Sequence, residues 1–424
     1  MKNMTNAEKT EHDMLNTEIY DSLSRKASAV LVFHLFILSC KNMLVATIPA
    51  VNGVNSILNG IITVILLMLY FKVFVFDYGY RRITVRGFLF LNFVILFLFV
   101  SFIFDQNLFV CTEFPYNYVR SEFIKFLTYS LPMFLIMLII RDYRPLTEIL
   151  YKYSFILFIF ATLGIVGTIV FPASHYSNAA AYSMSFGNAV LLYTMIAIIR
   201  FHEEHKLSVL VGGLLSIGYI LLDGSRGPLV SIGLMIIYLF IIKAKKAKER
   251  LFALILVMIM LLFFFFYKEI LQFLIISLEH FNLSSRTLIY AMNSSLTYDS
   301  GRQEYYEIIY KALSDSPILG LGAFGGEALV GLTHSLYVDI FANFGYIFGS
   351  FYIIVMVFGS LKTAYKYRNT NVEQFIMLLF ITCFPRGFFN DSFWTARELW
   401  MLMGILMGCI CYFSYVGADK NEKN

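Results

Sequence analysis

Hydrophobic and polar residues alternate along this chain in long blocks. Apolar runs of about 18 to 25 residues, the length of a helix that crosses a bilayer, are separated by short polar connections. This pattern predicts about twelve spans, near 27–45, 55–77, 87–104, 121–140, 148–171, 182–199, 208–222, 228–242, 251–267, 334–358, 374–389 and 393–416. The seventh and eighth are short, and "FPRGFFND" breaks or ends the eleventh. The predicted architecture is an all-α integral membrane protein, a single polytopic domain over residues 1–424. One large loop, 268–333, is inserted between the ninth and tenth spans and carries short helices.

Composition agrees and excludes an ordinary soluble domain. Of the 424 residues 59% are hydrophobic and 14% charged, against roughly 25% charged in soluble proteins. The five cysteines, Cys40, Cys111, Cys383, Cys409 and Cys411, show neither a disulfide framework nor metal-ligand spacing. The first 26 residues are polar and mixed in charge, without a signal-peptide pattern, and read as a cytosolic tail.

Charge assigns the sides. With the N-terminus inside, the inner connections "YGYRRITVR", "RDYRP", "RFHEEHK", "KAKKAKER" and "SLKTAYKYRN" and the tail "DKNEKN" are rich in Lys and Arg, as the positive-inside rule requires. The outer connections, among them "PASHYSNAA", "DGSRGP" and "PRGFFND", carry few, and their arginines stand alone. Both termini are expected in the cytosol and 268–333 outside. "KAKKAKER" is a topology-setting charge run that meets anionic lipid, and no nucleic-acid site is read in it.

An arginine in an outer turn as short as "DGSRGP" works against that charge pattern, so Arg226 calls for an explanation beyond snorkelling to lipid phosphates. Ser225 can cap, Pro228 suits a first helical turn, and Gly224 and Gly227 let backbone approach a ligand. The turn combines a guanidinium, which pairs with phosphate as a bidentate fork, with the positive end of a helix. A phosphate bound there would sit at headgroup depth.

The large loop opens with the amphipathic "KEILQFLIISLEHFNLSSRTLIYAMNSS" and continues with "SGRQEYYEIIYKALSDSP". In the latter, Ser300 can cap, Tyr305, Ile308, Ile309, Ala312 and Leu313 repeat at helical spacing, and Pro317 follows the end. "ILGLGAFGGEALVGLTHSLYVDIFANFG" then delivers His334 to the outer start of the tenth span.

An outward "SRG", a "GR" about 75 residues on, then "SPILGLGAFGG" and "HSLYVDIFANFG" occur here in one order and on one side. Over about 205–360 this resembles the O-antigen ligase and polymerase superfamily, bacterial inner-membrane enzymes that polymerise or transfer glycans built on polyprenyl diphosphate. Ser335 departs from many relatives, which have asparagine after the histidine. The resemblance implies a metal-independent glycosyltransferase without cofactor, its site facing outward, with a lipid-diphosphate glycan donor and a glycan acceptor. Arg226 and Arg302 would hold the diphosphate and His334 would act at the reacting hydroxyl. Flippase and chain-length regulator proteins would be its partners besides membrane lipids.

The residues support that chemistry. No DxD-type acidic cluster lies on the expected outer side, so leaving-group charge falls to arginines and helix N-termini. Arg386, beside a helix break, is a third diphosphate candidate. Asp339 and Glu327 are candidate supporting carboxylates, and Tyr305 and Tyr306 could stack on sugar. Arg286, Arg120 and His175 are weaker candidates, read first as interface or surface residues. The leading function is a repeat-unit polysaccharide polymerase of capsular or O-antigen type. A ligase delivering finished glycan to another acceptor is the alternative within the same chemistry. A lipid-linked-sugar flippase is the alternative of another class, but neither internal repeats nor mid-bilayer charges are evident.

Overall fold

The structure is a computed structural model that describes residues 6–105, 115–170, 184–223, 226–243, 265–280, 302–389 and 391–408, with scattered positions in 250–264 and residue 292. Every regular element among them is helical. In hydrocarbon this is forced, because a helix satisfies its own backbone hydrogen bonds and an open strand cannot.

In chain order the helices are α1 (Asn6–Thr47), α2 (Asn55–Phe71), α3 (Val85–Phe104), α4 (Tyr116–Lys125, prolonged through a π turn to Ile139) and α5 (Arg144–Val170). Then follow α6 (Met184–Glu204), α7 (Leu207–Asp223), α8 (Arg226–Ile237), α9 (Tyr267–His280), α10 (Arg302–Asp315), α11 (Gly325–Val330), α12 (Leu336–Lys366), α13 (Asn371–Cys383) and α14 (Arg397–Gly408). Among the described residues, six segments are long and apolar enough to cross a membrane: Ser22–Val45, Asn55–Phe76, Val85–Phe104, Tyr116–Ile139, Arg144–Gly167 and Leu336–Lys366. Two shorter apolar helices, Leu207–Leu221 and Gly227–Ile242, accompany them. The expected sixth span is α6. The expected eleventh is α13, of 13 residues, short of the roughly 20 that a crossing needs, and the expected twelfth is α14 as far as residue 408, its remainder lying outside the described residues. The ninth falls mostly outside the described residues.

Lipid-type exposure and core separate cleanly. Asn55–Phe76 and Val85–Phe104 turn large side chains such as Met68, Phe88, Leu96 and Phe104 outward. The centre is aromatic: Phe126, Phe134, Trp394 and Trp400 are almost wholly buried. Phe126 lies 4.8 Å from Trp400, and Phe324 stacks on Trp394 at 4.7 Å. Each buried indole N–H needs an acceptor. Trp394 finds Asn343 Oδ1 and Trp400 finds the Phe393 carbonyl, both at 2.8 Å.

Within 302–333, α10 appears where the apolar spacing predicts it and packs Ile309 and Leu313 against Val330, Val338 and Ala342. The stretch after it is pinned to two elements, α3 and α12. Ala323 N donates to Ser101 Oγ and Phe324 N to Asn343 Oδ1, both at 2.8 Å. Leu321 N donates to Ala342 O and Tyr346 N to Pro317 O, both at 2.7 Å. These last two bonds fill a break in α12, where Gly345 takes φ 73°, ψ 175°. A Cβ at Gly345 would collide with the Ile318 carbonyl, and one at Gly320 (φ +76°) with the Gly345 nitrogen, so both positions require glycine. Asp339 was expected inside a continuous span. It lies before this break, in a segment buried by protein, and the large exposed apolar side chains of α12 begin at Tyr346 and Ile347.

Candidate functional site

One turn organises the site. After α13 ends at Cys383, residues 384–389 form a 3-10 turn around Arg386–Phe388. Two of the sequence-predicted positions, Gly227 and Arg302, meet it. Gly227, in the first turn of α8, sits so close that a Cβ there would lie 3.2 Å from Arg386 Cγ and 3.4 Å from Phe389 Cβ. Arg226 therefore opens its helix directly beside this turn, although its side chain lies outside the described residues. Arg302, at the start of α10, donates from Nη1 to the Phe389 carbonyl at 2.7 Å. On the third side, Tyr337 donates to the Phe384 carbonyl at 2.9 Å and stacks on Phe388 with 4.2 Å between centroids. Leu336 meets Gly387 closely. His334 stands three residues before Tyr337, half-buried, at a φ of 54°. That left-handed conformation is uncommon outside glycine. It turns the chain into α12, which starts from the N-cap Ser335.

Arg386 itself is buried, 3% exposed. Its Nε donates to Asp391 Oδ2 and its Nη2 to Glu398 Oε2, both at 2.8 Å. Those carboxylates push the guanidinium above its already high ordinary value, against the burial that opposes them. Two opposing charges make a buried cation tolerable. A diphosphate reaching Arg386 would have to take over some of these contacts, so its observed task is to hold the turn on which Arg302 and α8 rest.

Glu327 was a candidate supporting carboxylate in the Gly-rich loop. It is fully buried on α11 beside Asp339, also fully buried. Ser392 Oγ lies 2.5 Å from Glu327 Oε1 and 3.0 Å from Asp339 Oδ2. A hydroxyl has one proton to donate, so one of these contacts requires a proton on a carboxyl. Asp339 also accepts from Phe393 N at 2.6 Å and from Asn343 Nδ2 at 3.1 Å, donors that favour its anionic form. Burial, then the neighbouring Asp339 charge, push Glu327 well above the ordinary carboxylate range. The proton belongs on Glu327, and its Oε2 has no hydrogen-bond partner. This pair joins α11 and α12 to the 391–394 segment, just beyond the turn that carries Arg386.

Tyr305 is 40% exposed on α10, open to a ligand, whereas Tyr306 packs against the small cluster below the helix. Arg120 is exposed. Arg286 and His175 lie outside the described residues, as do Ser225 and Ser300. No group of three or more His, Cys, Asp or Glu among the described residues is placed to hold a metal ion. Sequence reasoning missed Asp391, Ser392 and Glu398. The only local hint is "FFNDSFWTARE", polar residues unusually dense between two apolar runs.

These features define an all-helical membrane protein with a polar, arginine-rich site gathered around one turn at one end of its bundle. Residues 211–354 match the family described as O-Antigen ligase. This stretch, about a third of the chain, lies within the region whose motifs resemble the O-antigen ligase and polymerase superfamily. No curated protein matches the chain at a significant level.

Proposed function

We propose that this protein is a membrane glycosyltransferase that polymerises polyprenyl-diphosphate-linked repeat units on the outer face of the bacterial cytoplasmic membrane. The observation carrying this reading is the meeting of Arg302, the first turn of α8 and the start of α12 on the 384–389 turn. These lie far apart in sequence, and a diphosphate needs such a gathering of donors.

In this mechanism an acceptor sugar hydroxyl attacks the anomeric carbon of the donor glycan. The bond from that carbon to the diphosphate oxygen breaks as the new glycosidic bond forms. Arg226 and Arg302 meet the charge appearing on the leaving diphosphate, helped by the N-terminus of α8. His334 takes the hydroxyl proton. Arg386, Glu327 and Asp339 fix the turn and the start of α12, and Tyr305 offers a ring face to sugar. The reaction requires no metal because arginines supply the positive charge.

The test is turnover by purified protein in lipid nanodiscs with a defined lipid-diphosphate repeat unit. A ladder of products that persists in chelator supports the polymerase. A single transfer to an added foreign acceptor, without a ladder, would instead identify a ligase. Sidedness is checked separately: a cysteine at Ser294 in a Cys-free background should react with an impermeant maleimide in intact cells, and one at Ala244 should not.

A further inference from the structure

A polymerase of this kind handles two lipid diphosphates at once, yet the arginines above account for one. A second group of cations lies at the same end of the bundle and continues from the first. Glu398, which pairs with Arg386 at 2.8 Å, is also the nearest carboxylate to Arg397, at 4.0 Å. Two residues before Arg397, Thr395 donates to Glu122 Oε2 at 2.8 Å, and Glu122 binds Lys125 at 2.6 Å. Arg386, Arg397 and Lys125 are therefore strung along one polar network.

Lys41 on α1 completes the group. Arg397 and Lys125 both act on its charge, and Arg397 also acts on His34 of the same helix, two turns earlier. The half-buried Lys41 ammonium donates to the neutral amide of Asn59 at 2.8 Å and has no carboxylate within ion-pair distance among the described residues. Arg397 Nη1 is buried without a hydrogen-bond partner. Among the described residues Lys41 thus has no ion-pair partner, and Arg397 has only Glu398, at 4.0 Å and already committed to Arg386. Partly buried cations left without counter-charge are costly, and an anion entering between Lys41 and Arg397 would relieve that cost.

We propose that Lys41, Arg397 and Lys125 form a second diphosphate site, which holds the headgroup of the acceptor lipid while Arg226 and Arg302 hold the donor. The assignment of roles rests on the proposed function; the existence of two anion sites does not. Lys41 and Arg397 make the direct contacts, and Lys125 adds charge at the exposed rim.

The experiment counts bound diphosphates by native mass spectrometry on the full chain in nanodiscs, with farnesyl diphosphate and inorganic pyrophosphate as separate probes. Wild type should bind two farnesyl diphosphates. Lys41→Gln and Arg397→Gln should each weaken one of them by about ten- to a hundredfold, the scale of one charge-assisted hydrogen bond, and leave the other unchanged. Arg302→Ala should remove the other one. Lys41→Arg, which keeps the charge, should retain two and so separates lost binding from misfolding. Pyrophosphate bound with the same pattern supports a site for the diphosphate alone. Binding confined to farnesyl diphosphate supports one built for a lipid headgroup. A single site in wild type, or two sites untouched by Lys41→Gln and Arg397→Gln, overturns the proposal and leaves the donor reading standing. Loss of one site in the Lys41 and Arg397 variants but none in Arg302→Ala keeps the second site and sinks the donor assignment.

Discussion

At one end of α13 Glu373 is buried with every valence met; at the other, charge is buried with contacts left over. Glu373 accepts from Tyr238, Lys243 Nζ and Asn369 N, each at 2.6 Å. Close by, Glu203 accepts from Tyr151 at 2.9 Å and from Gln374, and Arg200 binds Glu204 through two nitrogens. The charges of Glu373, Lys243, Arg200 and Glu204 there pair within the protein. Around Arg386 the count differs: Glu327 Oε2, Thr333 Oγ1 and Arg397 Nη1 are all buried without partners. A saturated cluster ties helices together, while an unsaturated one keeps capacity for something that arrives. The comparison separates structural from functional charge in a chain where both look alike in sequence.

The sharpest test of that contrast is His334. His334→Ala should lower turnover by about 10²- to 10⁴-fold, the range for a lost general base, while donor lipid still binds; the measurement is product formed per purified molecule. If a large share of turnover survives, the base lies elsewhere. Next in size, Arg302→Ala should cost roughly 10²- to 10³-fold in kcat, the scale of one lost donor to developing charge. Arg226→Lys should behave similarly if its contact is a planar fork. Unchanged polymer from both at normal protein levels would return these arginines to headgroup anchoring.

The saturated end should answer oppositely. Glu373→Gln should lower thermal stability by about 1–3 kcal/mol, from the Lys243 charge left without its partner, with turnover per folded molecule unchanged. A fall in kcat at constant stability would erase the distinction between the two ends. The smallest effect is expected at Glu327. Because its carboxyl is held protonated, Glu327→Gln should change stability at pH 5 by less than about 1 kcal/mol. A raised carboxyl contributes stability that is complete below its ordinary value of 4.5 and is lost as pH climbs through the raised one. Wild type should therefore melt lower as pH rises from 5 to 9, and Glu327→Gln should lose that part of the slope. Parallel melting curves would place the proton elsewhere.

Local pattern made much of this molecule legible. Apolar blocks marked the helices, and the spacing of Ile309 and Leu313 marked the buried face of α10. The order of "SRG", "GR" and the histidine marked the residues that now cluster near one turn. Partners were not legible. Nothing near Arg386 in the sequence says that Glu398 rather than lipid meets it, and nothing near Glu327 says that it meets Ser392, 65 residues away. The break at Gly345 was hidden as well. An "NFG" within an apolar run reads as an uninterrupted span unless the loop that fills the gap is known.

That break also sets which part of the protein feels the bilayer. A continuous helix of the 31 residues of α12 would be about 46 Å long, well beyond the roughly 30 Å of hydrocarbon. Residues 346–366 alone run about 31 Å and match it. The piece before Gly345 is fastened to Leu321 and Phe324 instead of to lipid. Stretching or thinning of the membrane is thus taken up below the break by tilt of the lower piece. The reacting groups keep their height relative to one another, as instruments fixed to a quay do while the boat beside it rises and falls.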